Sequence, residues 1–137
     1  MSMNYPQTAA VVVADFYQEI AAALLESCRR TCAAAQIACD VHYVRGALEI
    51  PAAIDRLAAA HPYHCFVALG CVIRGETYHF EVVANASASG ILQVQLQRQI
   101  AIGNGILTVE NTAQAQARYD KGAAAAAAAL ALAKIGN

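Results

Sequence analysis

The stretch CFVALGCVIRGETYHFE, residues 65–81, gives the strongest indication of the fold. It opens with an unbroken apolar run, which is typical of a strand buried on both faces of a parallel sheet. We expect this strand to end at Leu69, and a long helical pattern begins soon afterwards at Phe80. Between them lie two glycines, an arginine, a threonine and a histidine. Such residues bind anions and move protons, and they follow a strand where open α/β sheets bind ligands.

The rest of the chain repeats this alternation of strand and helix. The predicted strands are residues 8–14, 39–44, 64–69 and 100–109, and the predicted helices are residues 17–35, 51–60, 80–99 and an alanine-rich terminal segment at 123–129. We expect Gly103-Asn104-Gly105 to interrupt the fourth strand, and Asn111 or Thr112 to cap the next helix. Gly90 inside the third helix predicts close packing there. Together the elements predict a parallel sheet with helices on both faces.

Length and composition restrict the class of protein. The chain has 137 residues, which predicts one domain over residues 1–137. Hydrophobic residues make up 58% and charged residues 14%, so part of the apolar surface is expected in an interface between copies. The net charge is -1 and basic runs are absent, which argues against a nucleic-acid partner.

The termini and the cysteines predict a cytoplasmic protein without a membrane anchor. Met1–Gln7 lacks the basic start of a signal peptide, and the apolar run at 9–14 is too short to span a bilayer. The five cysteines form no C-x-x-C pair and no zinc set, so we expect reduced, mostly buried thiols and no metal.

Candidate ligand-binding residues follow the first two strands. Phe16 follows the first strand, and its ring would cover a planar ligand or pack in the core; the residue alone favours the core. Glu49 follows the second strand. Its carboxylate would accept hydrogen bonds from ligand hydroxyls or stabilise a helix start, and the pattern alone favours the helix start.

The motif after the third strand has the same two kinds of interpretation. Gly75 and Thr77 precede a helix, where backbone N–H groups and a hydroxyl favour an anion. Arg74 would assist with the anion, or pair with Glu76 or Glu81. His79 would act as a general acid or base, or serve a structural role.

The last third of the chain offers weaker signals. The glycines at 103 and 105 are not a dinucleotide fingerprint, because the third glycine and the later acid are missing. Arg118 and Lys121 would bind phosphate or simply be solvated. The residues by themselves therefore predict an α/β domain with a small anionic ligand, but no particular substrate.

Three blocks in order resemble the lumazine synthase family of riboflavin biosynthesis. They are GALEIP at 46–51, ALGCVIRGETYHFE at 68–81 and GNGILT at 103–108, with Gln114 and Arg118 downstream. The resemblance covers nearly the whole chain, and the middle block is highly specific. It implies a flavodoxin-like fold, a three-layer α/β/α sandwich with a four-stranded parallel sheet.

The resemblance also implies an activity. Members of the family are transferases that condense 5-amino-6-(D-ribitylamino)uracil with 3,4-dihydroxy-2-butanone 4-phosphate and release phosphate and water. They use two small-molecule substrates, one of them phosphorylated, and neither a cofactor nor a metal. The alternative is a non-catalytic flavin- or lumazine-binding oligomeric protein of the same fold. The presence of both His79 and Arg118 favours the enzyme, because binding a planar ring requires neither.

The family's site residues transfer position by position. The matching substrate-binding positions are Phe16, Ala47, Leu48, Glu49, Cys71, Val72, Ile73, Gly75, Glu76, Thr77, Asn104, Arg118 and Lys121. The resemblance implies that Phe16 stacks on the pyrimidine, that residues 47–49 hold the ribityl chain and that residues 71–73 contact the pyrimidine edge. Gly75 and Thr77 match part of the phosphate site, and His79 matches the proton-transfer residue.

Three of these positions match residues that a neighbouring subunit supplies, namely Asn104, Arg118 and Lys121. The resemblance therefore implies a homopentamer with active sites at subunit interfaces. In the family the segment before Lys121 and the N-terminal extension help pentamers join into larger shells, and both are short here, so we expect a pentamer rather than a decamer or a larger shell. The sequence departs from many relatives at Arg45, where proline is common, and at Leu48, where phenylalanine is common. Asn104 occupies a position that is aromatic in some members, and the segment before Lys121 is short.

Overall fold

Four parallel strands form the central sheet, in the order β2-β1-β3-β4. The computed structural model describes residues 7–136, so the prediction for Met1–Gln7 concerns residues that lie almost entirely outside it. The strands are β1 (Thr8–Ala14), β2 (Ala38–Val44), β3 (Cys65–Ile73) and β4 (Ile102–Val109). Each neighbouring pair is parallel, which confirms the predicted sheet.

Helices cover both faces of this sheet. They are α1 (Gln18–Ala34), α2 (Ile50–Ala60), α3 (His79–Arg98), α4 (Thr112–Gln116) and α5 (Lys121–Ala133), with a 3₁₀ helix at Ala47–Glu49. The helices α1 and α5 pack on one face, and α2 and α3 pack on the other. The three-layer flavodoxin-like sandwich is therefore confirmed. Within residues 7–136, none of these helices is long and apolar enough to cross a membrane.

The core explains why the strands have continuous apolar sequences. All seven residues of β1 are buried. Val11 and Val13 belong to the core on the α1 side, whereas Val12 belongs with Ile54 to the core on the α2 side. Because both faces are covered, no position on this strand requires a polar side chain.

Two glycines show how closely the layers approach. A Cβ at Gly90 would lie 2.8 Å from Pro51 Cγ, so the close packing predicted for α3 is confirmed. A Cβ at Gly103 would lie 1.8 Å from the carbonyl oxygen of Ala125 in α5. Glycine at position 103 therefore lets α5 lie directly on β4.

Two predictions about strand limits are wrong. β3 does not end at Leu69 but continues to Ile73, because its last residues pair with β4 up to the Ile73–Val109 pair. β4 is not interrupted by its glycines: Gly103 and Gly105 pair in register with β3 like their neighbours. These glycines allow α5 to pack closely on β4, and they do not form a turn. The remaining limits lie within three residues of prediction, except that α5 runs from Lys121 to Ala133, two residues before and four residues after the predicted 123–129.

Candidate active site

An open cavity of about 550 Å³ lies at the carboxyl ends of β1, β2 and β3. Of the predicted site residues, it brings together Phe16, Ala47, Leu48, Glu49, Cys71, Val72, Ile73 and His79. These residues come from four separate segments of the chain. The parallel topology places the ends of these strands at one edge of the sheet, which is where ligands bind in open α/β folds.

Phe16 forms an exposed wall of this cavity. The residue is 68% exposed, and its ring contacts Tyr17 edge-on, with the ring centroids 5.0 Å apart and an interplanar angle of 77°. The interpretation of Phe16 as a core aromatic is therefore wrong. The chain leaves β1 at Asp15, whose N–H bonds to the Val44 carbonyl, so the ring projects beyond the end of the sheet.

Glu49 stabilises a helix start, as the pattern alone favoured. Its Oε1 accepts a hydrogen bond from the Gly46 N–H at 2.9 Å, which closes the 3₁₀ helix. The same side chain lines the cavity. A carboxylate oxygen has more than one lone pair, so Glu49 can accept further hydrogen bonds from a ligand while this turn is held.

The end of β3 offers backbone N–H and C=O groups, rather than polar side chains, to the cavity. Pairing of β3 with β1 ends at Leu69, whereas pairing with β4 continues to Ile73. The backbone groups of residues 71–73 that point away from β4 therefore face the cavity instead of another strand. Burial raises the pKa of the Cys71 thiol to about 11, so this side chain is a neutral thiol near neutral pH.

His79 is the first residue of α3 and lies at the rim of the cavity. The Thr77 Oγ1 accepts a hydrogen bond from the His79 N–H at 3.2 Å, which fixes the start of the helix. Val83 follows one turn later on the same lining. Gly75, Glu76 and Thr77 are exposed in the preceding loop and do not line the cavity of the single chain.

Arg74 joins three elements outside the cavity. It forms an ion pair with Glu81 in α3 and another with Glu110 after β4, where Nε and Oε2 are 2.9 Å apart. The guanidinium also lies 4.3 Å from the centroid of the Phe80 ring. The predicted pairing with Glu81 is confirmed, and Arg74 lowers the pKa of that carboxyl. Two carboxylates therefore pair with this arginine in the described chain.

Asn104, Arg118 and Lys121 lie apart from the cavity. Arg118 and Lys121 border a separate cleft of about 390 Å³ along the carboxyl half of β4, and Asn104 is exposed earlier on the same strand. The Arg118 guanidinium donates to the Gln114 carbonyl at 2.7 Å. Because β4 is an edge strand, this cleft is open to a second molecule.

Sequence reasoning missed five residues of the lining. They are Ala14, Tyr17, Arg45, Gly46 and Val83. Arg45 and Gly46 directly follow β2, so their position after a predicted strand was a signal in the sequence. Val83 carried no such signal, because its place depends on how α3 packs against the 3₁₀ helix. Within residues 7–136, no group of three or more His, Cys, Asp or Glu side chains is arranged to hold a metal ion.

The fold and the cavity define a class of protein: a doubly wound α/β protein that binds small molecules at the carboxyl ends of its strands. The chain belongs to the 6,7-dimethyl-8-ribityllumazine synthase family, whose model matches residues 6–137. The family predicted from the three sequence blocks is therefore confirmed.

Relatives from three bacteria support this membership. The 6,7-dimethyl-8-ribityllumazine synthase of Afipia carboxidovorans is 51% identical over 113 residues, which cover 79% of this chain and 69% of the relative. The synthase of Sphingopyxis alaskensis is 51% identical over 111 residues, covering 81% and 78%. That of Polaromonas sp. is 45% identical over 111 residues, covering 79% and 72%.

Proposed function

We propose that this chain condenses 5-amino-6-(D-ribitylamino)uracil with 3,4-dihydroxy-2-butanone 4-phosphate to give 6,7-dimethyl-8-ribityllumazine, with release of phosphate and water. The observation that carries the proposal is the cavity in which Phe16, Glu49, residues 71–73 and His79 meet. Family membership supports this reaction over the alternative of a protein that only binds flavins or lumazines.

The pyrimidine substrate is proposed to bind between Phe16 and the end of β3. The exposed Phe16 ring offers a flat apolar surface to a heterocycle. Backbone donors and acceptors at residues 71–73 suit the alternating N–H and C=O groups of a uracil edge. The ribityl hydroxyls would then lie along residues 47–49, where the Glu49 carboxylate accepts hydrogen bonds.

The chemistry requires little from the protein beyond positioning and proton transfer. The pyrimidine brings its own amine, which attacks the carbonyl of the second substrate to form an imine with loss of water. Loss of a neighbouring C–H proton then eliminates phosphate and leaves a new carbonyl after tautomerisation. The ribityl-bearing nitrogen attacks that carbonyl carbon, and a second water leaves as the ring closes. His79 at the cavity rim is proposed to move the protons in these steps. Holding both substrates together accounts for much of the remaining rate enhancement.

The phosphate is proposed to bind between the loop with Gly75, Glu76 and Thr77 and the Arg118 of a neighbouring subunit. In the described part of one chain the loop lies outside the cavity and Arg118 borders a different cleft, so a neighbouring subunit is proposed to bring its Arg118 to the loop. Asn104 and Lys121 are proposed to reach the neighbour's site together with Arg118. Charge-assisted hydrogen bonds from arginine bind phosphate well.

Self-association into a homopentamer is proposed on the same grounds. Helix α3 exposes large apolar side chains along one stripe, namely Val82, Leu92 and Leu96, preceded by Tyr78 at its N-cap. This spacing, close to the period of a helix, gives α3 an exposed apolar face and supports the proposal that it packs against another copy. A cytoplasmic location is also proposed, supported by the five free thiols.

The activity is tested by mixing the purified protein with both substrates and following lumazine absorbance. Acceleration over the spontaneous reaction is expected, and its absence would contradict the proposal. The variant His79→Ala should lose most of this acceleration. His64→Ala is its matched control and should keep the acceleration, because His64 precedes β3 at the opposite end of the sheet.

Shared sites are tested by complementation. His79→Ala and Arg118→Ala are each expected to be nearly inactive. Arg118→Ala should weaken the binding of the phosphorylated substrate much more than the binding of the pyrimidine. Co-refolding equal amounts should restore about one quarter of the active sites, because half of the subunits carry each intact residue. If the mixture is no more active than its components, the two residues do not act across an interface.

A further inference from the structure

Three cysteine side chains form a cluster at the opposite end of the sheet from the cavity. Cys28 and Cys32 lie one turn apart on the buried face of α1, and both are fully buried. Cys39 is the second residue of β2 and is only partly buried, so it is the cluster's contact with solvent. The Ile37 N–H bonds to the Cys32 carbonyl at 2.9 Å, which turns the chain so that β2 starts beside the end of α1. We name this set the thiol cluster.

The thiol cluster lies in one packed region, because Cys28 and Cys32 belong to the core on the α1 side of the sheet and Cys39 packs against that core. Hydrogen bonds from the Cys28 and Cys32 thiols lower the pKa of Cys39, and the nearby Arg29 guanidinium acts in the same direction. The pKa of the deeper Cys28 is raised instead. By contrast, burial raises the pKa of Cys71 to about 11. Cys39 therefore combines partial exposure with a stabilised thiolate, the two properties that make a cysteine reactive.

We propose that the thiol cluster is an oxidation site for hydroperoxides, with Cys39 as the attacking thiol and Cys28 or Cys32 as the resolving thiol. The Cys39 thiolate attacks one peroxide oxygen: an S–O bond forms, the O–O bond breaks, and the other oxygen leaves as water or an alcohol. The resolving sulfur then attacks Cys39 Sγ, so that an S–S bond forms and the sulfenic oxygen leaves as water. Two thiols are oxidised by two electrons in total, and one hydroperoxide is reduced.

The position of the thiol cluster decides what this oxidation would affect. Cys39 lies at the start of β2, whereas the cavity begins beyond Val44, at the other end of the strand. The disulfide would link α1 to the edge strand of the sheet. Oxidation is therefore expected to leave the cavity lining in place, and reduction by a dithiol should reverse it.

The test is hydrogen peroxide treatment of the full chain at neutral pH, followed by tryptic mass spectrometry. Cleavage after Arg30 and Arg45 leaves Cys32 and Cys39 in one peptide, whereas Cys28 lies in the peptide ending at Arg29. A Cys32–Cys39 disulfide thus appears as a single peptide lighter by two hydrogens, and a Cys28–Cys39 disulfide as two linked peptides. Either product, reversed by dithiothreitol and formed at least ten times faster than oxidation of Cys71, supports the proposal.

Two sets of variants make the result decisive. Cys39→Ser should abolish the disulfide, whereas Cys71→Ser, the matched control outside the cluster, should form it at the unchanged rate. In the Cys28→Ser, Cys32→Ser double variant, Cys39 should accumulate as sulfenic acid that dimedone traps. Oxidation of Cys39 no faster than that of Cys71, or a disulfide that persists in Cys39→Ser, would overturn the proposal.

Discussion

The exposed ring of Phe16 leads to a prediction whose size follows from its surroundings. Phe16 is 68% exposed, and the one aromatic contact of its ring in the described chain is edge-on with Tyr17. A planar ligand on the free face would bury about 70 Å² of ring surface, part of the roughly 200 Å² of a whole aromatic side chain. At about 25 cal/mol per Å², this contact contributes roughly 2 kcal/mol to binding. Phe16→Ala should therefore raise the Kd for 6,7-dimethyl-8-ribityllumazine about 20-fold.

Isothermal titration calorimetry of the wild type and the variant measures this difference directly. Tyr43→Ala is the matched control: Tyr43 is 60% exposed on β2 but does not line the cavity. Both variants should keep the wild-type melting temperature within about 2 °C, because neither ring is buried in the core. A change of less than threefold for Phe16→Ala, or an equal change for Tyr43→Ala, would refute the stacking argument.

Three further predictions test catalysis, packing and pH dependence. His79→Ala should lower kcat by about 10²- to 10⁴-fold with little change in pyrimidine affinity, and a wild-type rate in steady-state assays would make His79 structural. Gly103→Ala should lower the unfolding free energy by about 3 kcal/mol in urea titrations, because the new Cβ would lie 1.8 Å from the Ala125 carbonyl oxygen; unchanged stability would contradict the packing of α5. Although burial raises the pKa of Asp40, hydrogen bonds from Tyr63 and a neighbouring histidine outweigh it and lower that pKa. The ionised Asp40 therefore stabilises the folded state above the ordinary carboxyl pKa, and this stabilisation is lost as the pH falls through the lowered pKa. Asp40→Asn should make the unfolding free energy depend less on pH in acid, and an unchanged acid dependence would contradict this.

The sequence predicted the elements whose signals are local. Apolar runs located the four strands, Pro51 marked the first turn of α2, and Asn111 caps α4 by accepting a hydrogen bond from the Gln114 N–H at 2.9 Å. These features depend on residues close together in the chain, so one sequence is enough to recognise them. The three family blocks also lie within short segments.

The tertiary structure decided features that depend on distant partners. The extra length of β3 depends on its pairing with β4, and the partner Glu110 of Arg74 lies 36 residues away. The exposure of Phe16 depends on where β1 stops relative to its neighbours. The sequence by itself thus determined the class of fold, the family and the residue types of the candidate site. Only packing decided which of these residues share one cavity, because a cavity is the space left between elements that meet far apart along the chain.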